Sequence, residues 1–254
     1  MAREVQSSII EKLVVVLDVL ARTPGKLSQS EIVTATGFNK SSIHRILSIL
    51  LGQGLVRLDE RDKTYSVGPK LVSWARSAWQ KTDLAQIEDQ DLIDLSNATG
   101  MNVAISVLSD YTVTFIRTRI INPYKLAVKV GGQSDLHCTA AGKLFLGFMS
   151  KFELDTYLDT TELEKYTETT LTDQKSLLND IELARELGYA KGNREEFWQV
   201  VGIAAPIVDY DNRIMAALSL WTPTRFASMS TLEQDVPAML ETAAKISARF
   251  GSMA

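Results

Sequence analysis

The sequence is poor in the residues that build disulfide frameworks and metal centres. Among 254 residues there are one cysteine and two histidines, namely Cys138, His44 and His137. A single cysteine excludes an intrachain disulfide framework and fits a reducing cytoplasm, and so few ligands disfavour a zinc site. The adjacent His137 and Cys138 admit a nucleophilic pair, but neighbouring loop residues seldom aim at each other. A packed structural cysteine is therefore favoured.

A long uninterrupted apolar run is also missing. A bilayer-spanning helix needs about 18 or more consecutive apolar residues, whereas the apolar stretch at 13–20 is interrupted by Asp18. The first residues lack the pattern of a secretory signal. We therefore expect no membrane partner and a cytoplasmic location. The length predicts one large or two modest globular domains.

Negative charge is in slight excess, but it is unevenly distributed. Residues 1–80 carry 11 Lys and Arg against 7 Asp and Glu, whereas residues 81–254 carry 16 against 24. A basic first third followed by an acidic remainder indicates that only the first part meets phosphates.

A helix-turn-helix pattern begins at residue 28. Ser28 and Glu31 have the spacing of a capping box that starts one helix, and Gly37 ends it. Asn39 is placed to cap the next helix. The apolar stripe of that helix consists of Ile43, Ile46, Leu47, Leu50 and Leu51. An ordinary helical hairpin is the alternative interpretation of this stretch.

The residues off the stripe are rich in hydrogen-bond donors and include no acid, which suits a helix that enters the major groove. A charged hairpin tip follows between strands at 55–58 and 64–67, which predicts a wing that reaches the DNA backbone or minor groove. The predicted DNA-binding residues are Ser28, Asn39, Lys40, Ser41, Ser42, His44, Arg45, Arg61 and Lys63. An apolar linker helix is expected at 70–80, with a domain boundary beside it.

The rest of the chain predicts an α+β domain with an antiparallel sheet. We expect helices at 83–97, 152–158 and 173–187, the last capped by Thr172. Another helix is expected to begin with the small residues of 136–143 and to continue through the apolar run 144–149. Strands are expected at 101–109, 111–121, 126–130, 189–196, 199–208 and 213–221, with a loop at 131–135. A C-terminal helix is expected at 230–250. Pro237 either kinks this helix or lies in the first turn of a helix that begins later.

Four motifs stand in a fixed order along the chain. They are Asn39-Lys40-Ser41-Ser42-Ile43-His44-Arg45-Ile46-Leu47, Leu136-His137-Cys138-Thr139-Ala140-Ala141-Gly142-Lys143, Gly188-Tyr189-Ala190 with Arg194-Glu195-Glu196, and Ile203-Ala204-Ala205-Pro206 with Ala216-Ala217-Leu218-Ser219. In these motifs the chain resembles the IclR family of bacterial transcription regulators. The resemblance implies a winged helix-turn-helix domain at 1–68, a linker helix at 69–82 and a GAF-like effector-binding domain at 83–254. It also implies homodimers or homotetramers on palindromic operator DNA.

The resemblance further implies a small organic or aromatic acid as effector. Carried over by position, Ala140 and Ala141 would hold the effector carboxylate with backbone amides at a helix N-terminus, which attracts anions. Ser219 corresponds to a pocket hydroxyl, and Asn193 and Gly202 to further pocket positions. Trp221 replaces a small hydroxyl residue, which suggests a pocket shaped by an indole. The predicted ligand-binding residues are Ala140, Ala141, Asn193, Gly202, Ser219 and Trp221.

The sequence thus predicts a ligand-responsive, sequence-specific DNA-binding regulator of a catabolic operon, without a cofactor or metal, and repression is favoured over activation. A metabolic enzyme with an accessory N-terminal domain is the alternative. Glu195 and Glu196 admit a pair of catalytic acids, but a solvated strand end is the favoured interpretation.

Overall fold

The computed structural model describes residues 9–80, 84, 87–124 and 128–252. The chain divides into two compact units, residues 1–82 and residues 83–254. Each unit has its own hydrophobic core. Within the described residues, no helix has the length and apolarity needed to cross a membrane.

The first unit is a winged helix-turn-helix, as the sequence predicts. Its elements are α1 (Ile9–Arg22), β1 (Leu27–Ser28), α2 (Gln29–Thr36), α3 (Lys40–Gly52), β2 (Val56–Asp59), β3 (Thr64–Val67) and α4 (Pro69–Gln80). The three strands form an antiparallel sheet in the order β1-β3-β2. The short strand β1 is not foreseen by the sequence pattern.

The core of this unit confirms the apolar stripe of α3. Ile43, Ile46, Leu47 and Leu50 are buried, whereas Leu51 packs at the edge of the core. Phe38 in the preceding turn also packs against this core. Because these residues face inward, the opposite side of α3 is left to solvent.

The second unit is an α+β domain built on one six-stranded sheet, in the order β6-β5-β4-β9-β8-β7. All five strand pairs are antiparallel. The elements are α5 (Asp89–Thr99), β4 (Asn102–Ser109), β5 (Thr112–Arg119), β6 (Gln133–Asp135), α6 (Ala140–Phe148), α7 (Lys151–Thr160), α8 (Gln174–Leu187), β7 (Ala190–Asn193), β8 (Val200–Val208), β9 (Ile214–Pro223), α9 (Met229–Gln234) and α10 (Val236–Arg249).

Side chains of the central strands alternate between two cores of different character. Ala104, Ala204 and Ala217 face the core that also contains residues of α6, α7 and α8. Their neighbours in sequence, including Val103 and Leu218, face the core that contains residues of α5 and α10. The small residues on the α6 side leave room between the sheet and the start of that helix.

Two expectations for the middle of the chain are wrong. The segment at 131–135 is not simply a loop, because Gln133–Asp135 forms β6 and pairs with β5. Residues 128–130, expected to be strand-like, lie outside any strand, and 126–127 fall outside the described residues.

Three helix boundaries also differ. Residues 87 and 88 precede α5, which begins at Asp89. Asp173, and not Thr172, caps α8, because its side chain accepts a hydrogen bond from the Ser176 amide. The expected C-terminal helix is divided at Asp235 into α9 and α10, and Pro237 lies in the first turn of α10, where its missing N–H has no cost.

Candidate functional site

The outward face of α3 carries the predicted DNA-binding side chains. Lys40, Ser41, His44 and Arg45 are exposed and Ser42 is half-buried. Within the part of the chain that the structure describes, Lys40 and Arg45 have no acidic partner in an ion pair. These donors are therefore available to an outside partner.

Ser28 and Asn39, also predicted to contact DNA, act first as helix caps. Ser28 and Glu31 complete a reciprocal capping box at the start of α2. The Asn39 side-chain oxygen accepts hydrogen bonds from the Ser42 amide and the Ser41 hydroxyl, both at 2.8 Å. These caps fix where α2 and α3 begin, and so they orient the donors of α3.

The wing presents both of its predicted cations to solvent. Arg61 and Lys63 are exposed at the turn between β2 and β3. Lys63 pairs with Glu60, but both side chains are more than 70% exposed, and such surface pairs contribute little. At the base of the wing, Lys26 pairs with Asp59 and ties β2 to the segment before α2.

A cavity of about 70 Å³ lies between the sheet and the N-terminus of α6. A single buried water needs about 10–15 Å³, so this space exceeds one water several-fold. Five of the six predicted ligand residues line it, and Asn193 does not. The lining residues are Phe115, Val128, Cys138, Thr139, Ala140, Ala141, Gly192, Glu195, Glu196, Phe197, Val200, Gly202, Ile203, Ser219, Leu220 and Trp221.

The start of α6 offers backbone donors to this cavity. Thr139 caps the helix by accepting the Gly142 amide at 3.0 Å. The amides of Ala140 and Ala141, at the first two helical positions, have no acceptor within the helix. A Cβ at Gly142 would lie 2.2 Å from the Leu136 carbonyl oxygen, so only glycine allows α6 to begin here.

Gly192 on β7 keeps the first of these amides open. A Cβ at this position would lie 2.9 Å from the Ala140 nitrogen. No local sequence pattern points to Gly192, because the approach of β7 to α6 depends on residues far apart in the chain. The missing side chain leaves space next to a backbone donor, which is where an acceptor atom fits.

Trp221 supplies a further donor. It is 3% exposed and lies beside Gly202 on the neighbouring strand. Its indole Nε1 is buried and has no hydrogen-bond partner among the described residues. An unpaired buried donor costs about 1–3 kcal/mol, and an acceptor in the cavity would remove that cost.

Glu195 is buried, so the expectation of a solvated strand end is wrong. Lys143, 1% exposed, donates to both carboxylate oxygens of Glu195, at 2.8 and 3.0 Å. It also donates to Asp180 at 2.5 Å. A lysine buried on a helix face needs such partners, but the sequence around Lys143 does not indicate which acid, 52 positions away, supplies them.

Glu196 is half-buried and lines the cavity. Burial raises the pKa of its carboxyl to about 7, and the nearby Asp135 carboxylate adds to this increase. A hydrogen bond with the Ser134 side chain acts in the opposite direction. No cation forms an ion pair with Glu196 within the described residues.

Asn193 has a structural role at the end of β7. Its backbone amide donates to Glu195 at 2.9 Å, and its carbonyl accepts from the Thr169 hydroxyl at 3.0 Å. Its side chain is exposed.

His137 and Cys138 do not form a nucleophilic pair. The Cys138 thiol lies 3.6 Å from the Asp135 carbonyl, and burial raises its pKa, which disfavours the thiolate. His137 stacks on Tyr166, and its Nε2 lies 2.9 Å from the Glu164 carbonyl. The structural interpretation of the cysteine therefore fits the geometry.

Comparison with known proteins agrees with both units. The model of the IclR helix-turn-helix domain matches residues 10–60, and that of the bacterial transcriptional regulator IclR C-terminal domain matches residues 76–248. The chain is 32% identical over 216 residues to the HTH-type transcriptional regulator KdgR of Escherichia coli, covering 84% of this chain and 81% of that protein.

Solved structures show the same fold over nearly the whole chain. An IclR regulator from Alicyclobacillus acidocaldarius is 28% identical with a TM-score of 0.81, covering 96% of this chain and 99% of the other. An IclR homologue from Microbacterium hydrocarbonoxydans, in complex with 4-hydroxybenzoate, is 20% identical with a TM-score of 0.83, covering 96% and 99%. With a winged helix, an α+β second unit and family models matched on both, this chain belongs to the IclR family of bacterial transcriptional regulators.

Proposed function

We propose that this regulator binds operator DNA through α3 and the wing, and that a small organic acid in the α6 cavity controls this binding. In this proposal it represses a catabolic operon in the cytoplasm, and it acts as a homodimer or homotetramer. The observation that carries the effector part is that Trp221, whose buried indole Nε1 has no hydrogen-bond partner among the described residues, lines the same cavity as the start of α6.

The DNA part is supported by the division of α3 into two faces. One face fills the core of the first unit, and the other presents Lys40, His44 and Arg45 to solvent. An exposed row of donors near the start of a helix held by a core is what base reading in the major groove requires.

The effector part is supported by the match between donors and an acid. The two free amides of α6 and the indole N–H of Trp221 all require acceptors, and a carboxylate offers several lone pairs. The 4-hydroxybenzoate bound by the homologue from Microbacterium hydrocarbonoxydans is a carboxylic acid, the same chemical class.

Assembly into dimers or tetramers is supported by α4. Val72 and Trp74 on this helix are 68% and 53% exposed. Two large apolar side chains on one exposed helix are more costly in water than at an interface. Sedimentation of the full-length protein should give a dimer or tetramer, and a monomer at micromolar concentration would contradict this part of the proposal.

The DNA test is fluorescence anisotropy of full-length protein with the promoter region beside its own gene and with unrelated DNA of equal length. We expect tighter binding to the promoter DNA, with an affinity that falls as salt increases. Equal affinity for both DNAs would contradict sequence-specific binding. Deletion of the gene should raise transcription of the neighbouring operon, whereas a decrease would identify an activator.

The effector test is thermal-shift screening of small organic and aromatic acids, because a ligand that binds the folded state raises its melting temperature. Trp221→Phe removes the indole donor and keeps an aromatic ring, so it should weaken binding of the acid that gives the largest shift. Binding that is unchanged in this variant would place the acid elsewhere.

A further inference from the structure

The Glu196 carboxyl disfavours ligands that carry a second carboxylate at its side of the cavity. The cavity offers donors at Ala140, Ala141 and Trp221, yet its lining also contains the Glu196 carboxyl. No cation forms an ion pair with this carboxyl in the part of the chain that the structure describes. A second carboxylate at this place would meet like charge in a desolvated site, which is strongly unfavourable.

The donors and Glu196 lie toward different sides of the cavity. Glu196 also lines an adjoining pocket together with Lys129, Gly132 and Ser134, at the segment that leads into β6, and Lys129 forms no ion pair with Glu196 among the described residues. Ala140, Ala141 and Trp221 do not line that adjoining pocket. The cavity therefore has one side rich in donors and another side that carries a carboxyl group.

Apolar side chains border both the cavity and the adjoining pocket. Phe115, Val128 and Phe197 line both the cavity and the adjoining pocket. These apolar side chains lower the access of water to hydrogen bonds made in the cavity, which strengthens discrimination between ligand groups. The Glu196 carboxyl hydrogen-bonds the Ser134 side chain, so a ligand group that reaches it must suit the remaining lone pairs of that carboxyl.

Building on the proposed function, we propose that Glu196 determines effector specificity by hydrogen bonding to a hydroxyl group at the end of the effector remote from its carboxylate. The ligand class is thus a hydroxylated carboxylic acid. A hydroxyl suits this place better than an ammonium group, because it pairs with a carboxyl without bringing a second charge into a desolvated site. It both donates and accepts, so it fits Glu196 in either protonation state.

The experiment measures binding of matched acids to the full-length protein by thermal shift and calorimetry at pH 7. The ligands are butyrate, 4-hydroxybutyrate and 4-aminobutyrate, and benzoate with 4-hydroxybenzoate. The proteins are the wild type, Glu196→Leu, Glu196→Gln and the surface control Glu241→Gln. Melting temperatures without ligand establish that each variant is folded.

In the wild type we expect the hydroxylated member of at least one pair to bind about tenfold more tightly, the value of one good hydrogen bond. Glu196→Leu should abolish this preference while the acid without the hydroxyl still binds. Glu196→Gln keeps an acceptor and should retain part of the preference, and Glu241→Gln should retain all of it.

Four results would overturn the inference. If acids bind without a hydroxyl preference, or if the preference survives in Glu196→Leu, Glu196 has no such role although the effector function stands. Tighter binding of 4-aminobutyrate than of 4-hydroxybutyrate would show that Glu196 prefers an ammonium group to a hydroxyl group. If none of the acids binds, the proposed effector function fails as well. If Glu196→Leu does not fold, the hydroxyl preference measured for the wild type and for Glu196→Gln still tests the inference.

Discussion

Arg45 is the exposed residue of α3 best suited to base recognition, because its guanidinium can donate two hydrogen bonds to guanine. A bidentate contact of this kind discriminates by about 1–3 kcal/mol. We therefore expect Arg45→Ala to lower affinity for the operator about 10- to 100-fold, with a much smaller loss on random DNA. Anisotropy titrations on both DNAs measure this difference.

The control for Arg45→Ala is Arg22→Ala, which removes an exposed positive charge at the end of α1. It should affect both DNAs slightly and equally. Equal losses on operator and random DNA in Arg45→Ala would assign Arg45 to the phosphate backbone.

Gly192 decides whether the amide of Ala140 is accessible to a ligand. The Cβ of Gly192→Ala would lie 2.9 Å from the Ala140 nitrogen and 3.5 Å from the Ala140 Cβ. We expect this variant to lose the thermal shift caused by acids and the effector dependence of DNA binding. Its affinity for DNA without effector should remain, because Gly192 lies in the second unit.

Gly147→Ala is a matched control on α6, where the new Cβ would make only ordinary contacts of 3.7 Å or more. Alanine also favours a helix more than glycine does, so this variant should respond to acids and melt at the same or a higher temperature. An acid response of Gly192→Ala equal to that of Gly147→Ala would show that the Ala140 amide does not contact the ligand.

Glu196 also predicts a dependence of stability on pH. Its pKa rises from 4.5 to about 7 on folding, so the folded state holds a proton that the unfolded state releases. The contribution of this carboxyl to the free energy of unfolding is therefore fully present below about pH 4.5. It is lost as pH rises through about 7. A shift of this size corresponds to about 3 kcal/mol.

Glu196→Gln replaces the carboxyl by a neutral group of the same shape. We expect its melting temperature to exceed that of the wild type at pH 8 and to match it at pH 5. Glu241→Gln, at an exposed position on α10, should show no such difference. A change of the same sign and size at both pH values would contradict the raised pKa.

At the scale of elements, the start of α3 depends on one side chain. The Asn39 oxygen is the acceptor for the Ser42 amide. Asn39→Ala should cost about 1 kcal/mol of stability and lower the melting temperature of the first unit by a few degrees. Asn39→Ser keeps a capping oxygen and should recover most of this loss. A full loss in the serine variant would indicate a role beyond capping.

Elements whose signals are local were predictable from the sequence. The capping box at Ser28, the cap at Asn39 and the left-handed glycines Gly37 and Gly188 each lie within a few residues of the boundary they set. The apolar stripe of α3 repeats within one helix. Such signals require no knowledge of the rest of the fold.

Elements defined by distant partners were not predictable in the same way. β6 is three residues long and exists through its pairing with β5, for example Ser134 with Val113. Glu195 is buried through Lys143, which lies 52 positions away. The cavity shares this property, since the position of Gly192 against Ala140 follows from tertiary packing and not from local sequence.

For the whole molecule, the uneven charge predicts how DNA binding responds to salt. Each phosphate contact adds about −0.9 to the slope of log affinity against log salt concentration. The exposed wing residues Arg61 and Lys63 are candidates for such contacts. Arg61→Ala and Lys63→Ala should each reduce the slope by about 1 without changing sequence preference. A slope that stays the same in both variants would exclude the wing from the phosphate backbone.

The ion cluster formed by Lys143, Glu195 and Asp180 restricts the mutational routes open to this fold. Loss of Lys143 alone would leave a desolvated acid without its counter-charge, a change that typically costs about 3–5 kcal/mol. Asp180 differs, because its side chain is 37% exposed and its loss leaves Lys143 paired with Glu195. Replacement of both buried members by hydrocarbons of equal volume should cost less than loss of Lys143 alone. Evolution of this fold should therefore change Lys143 and Glu195 together or keep both.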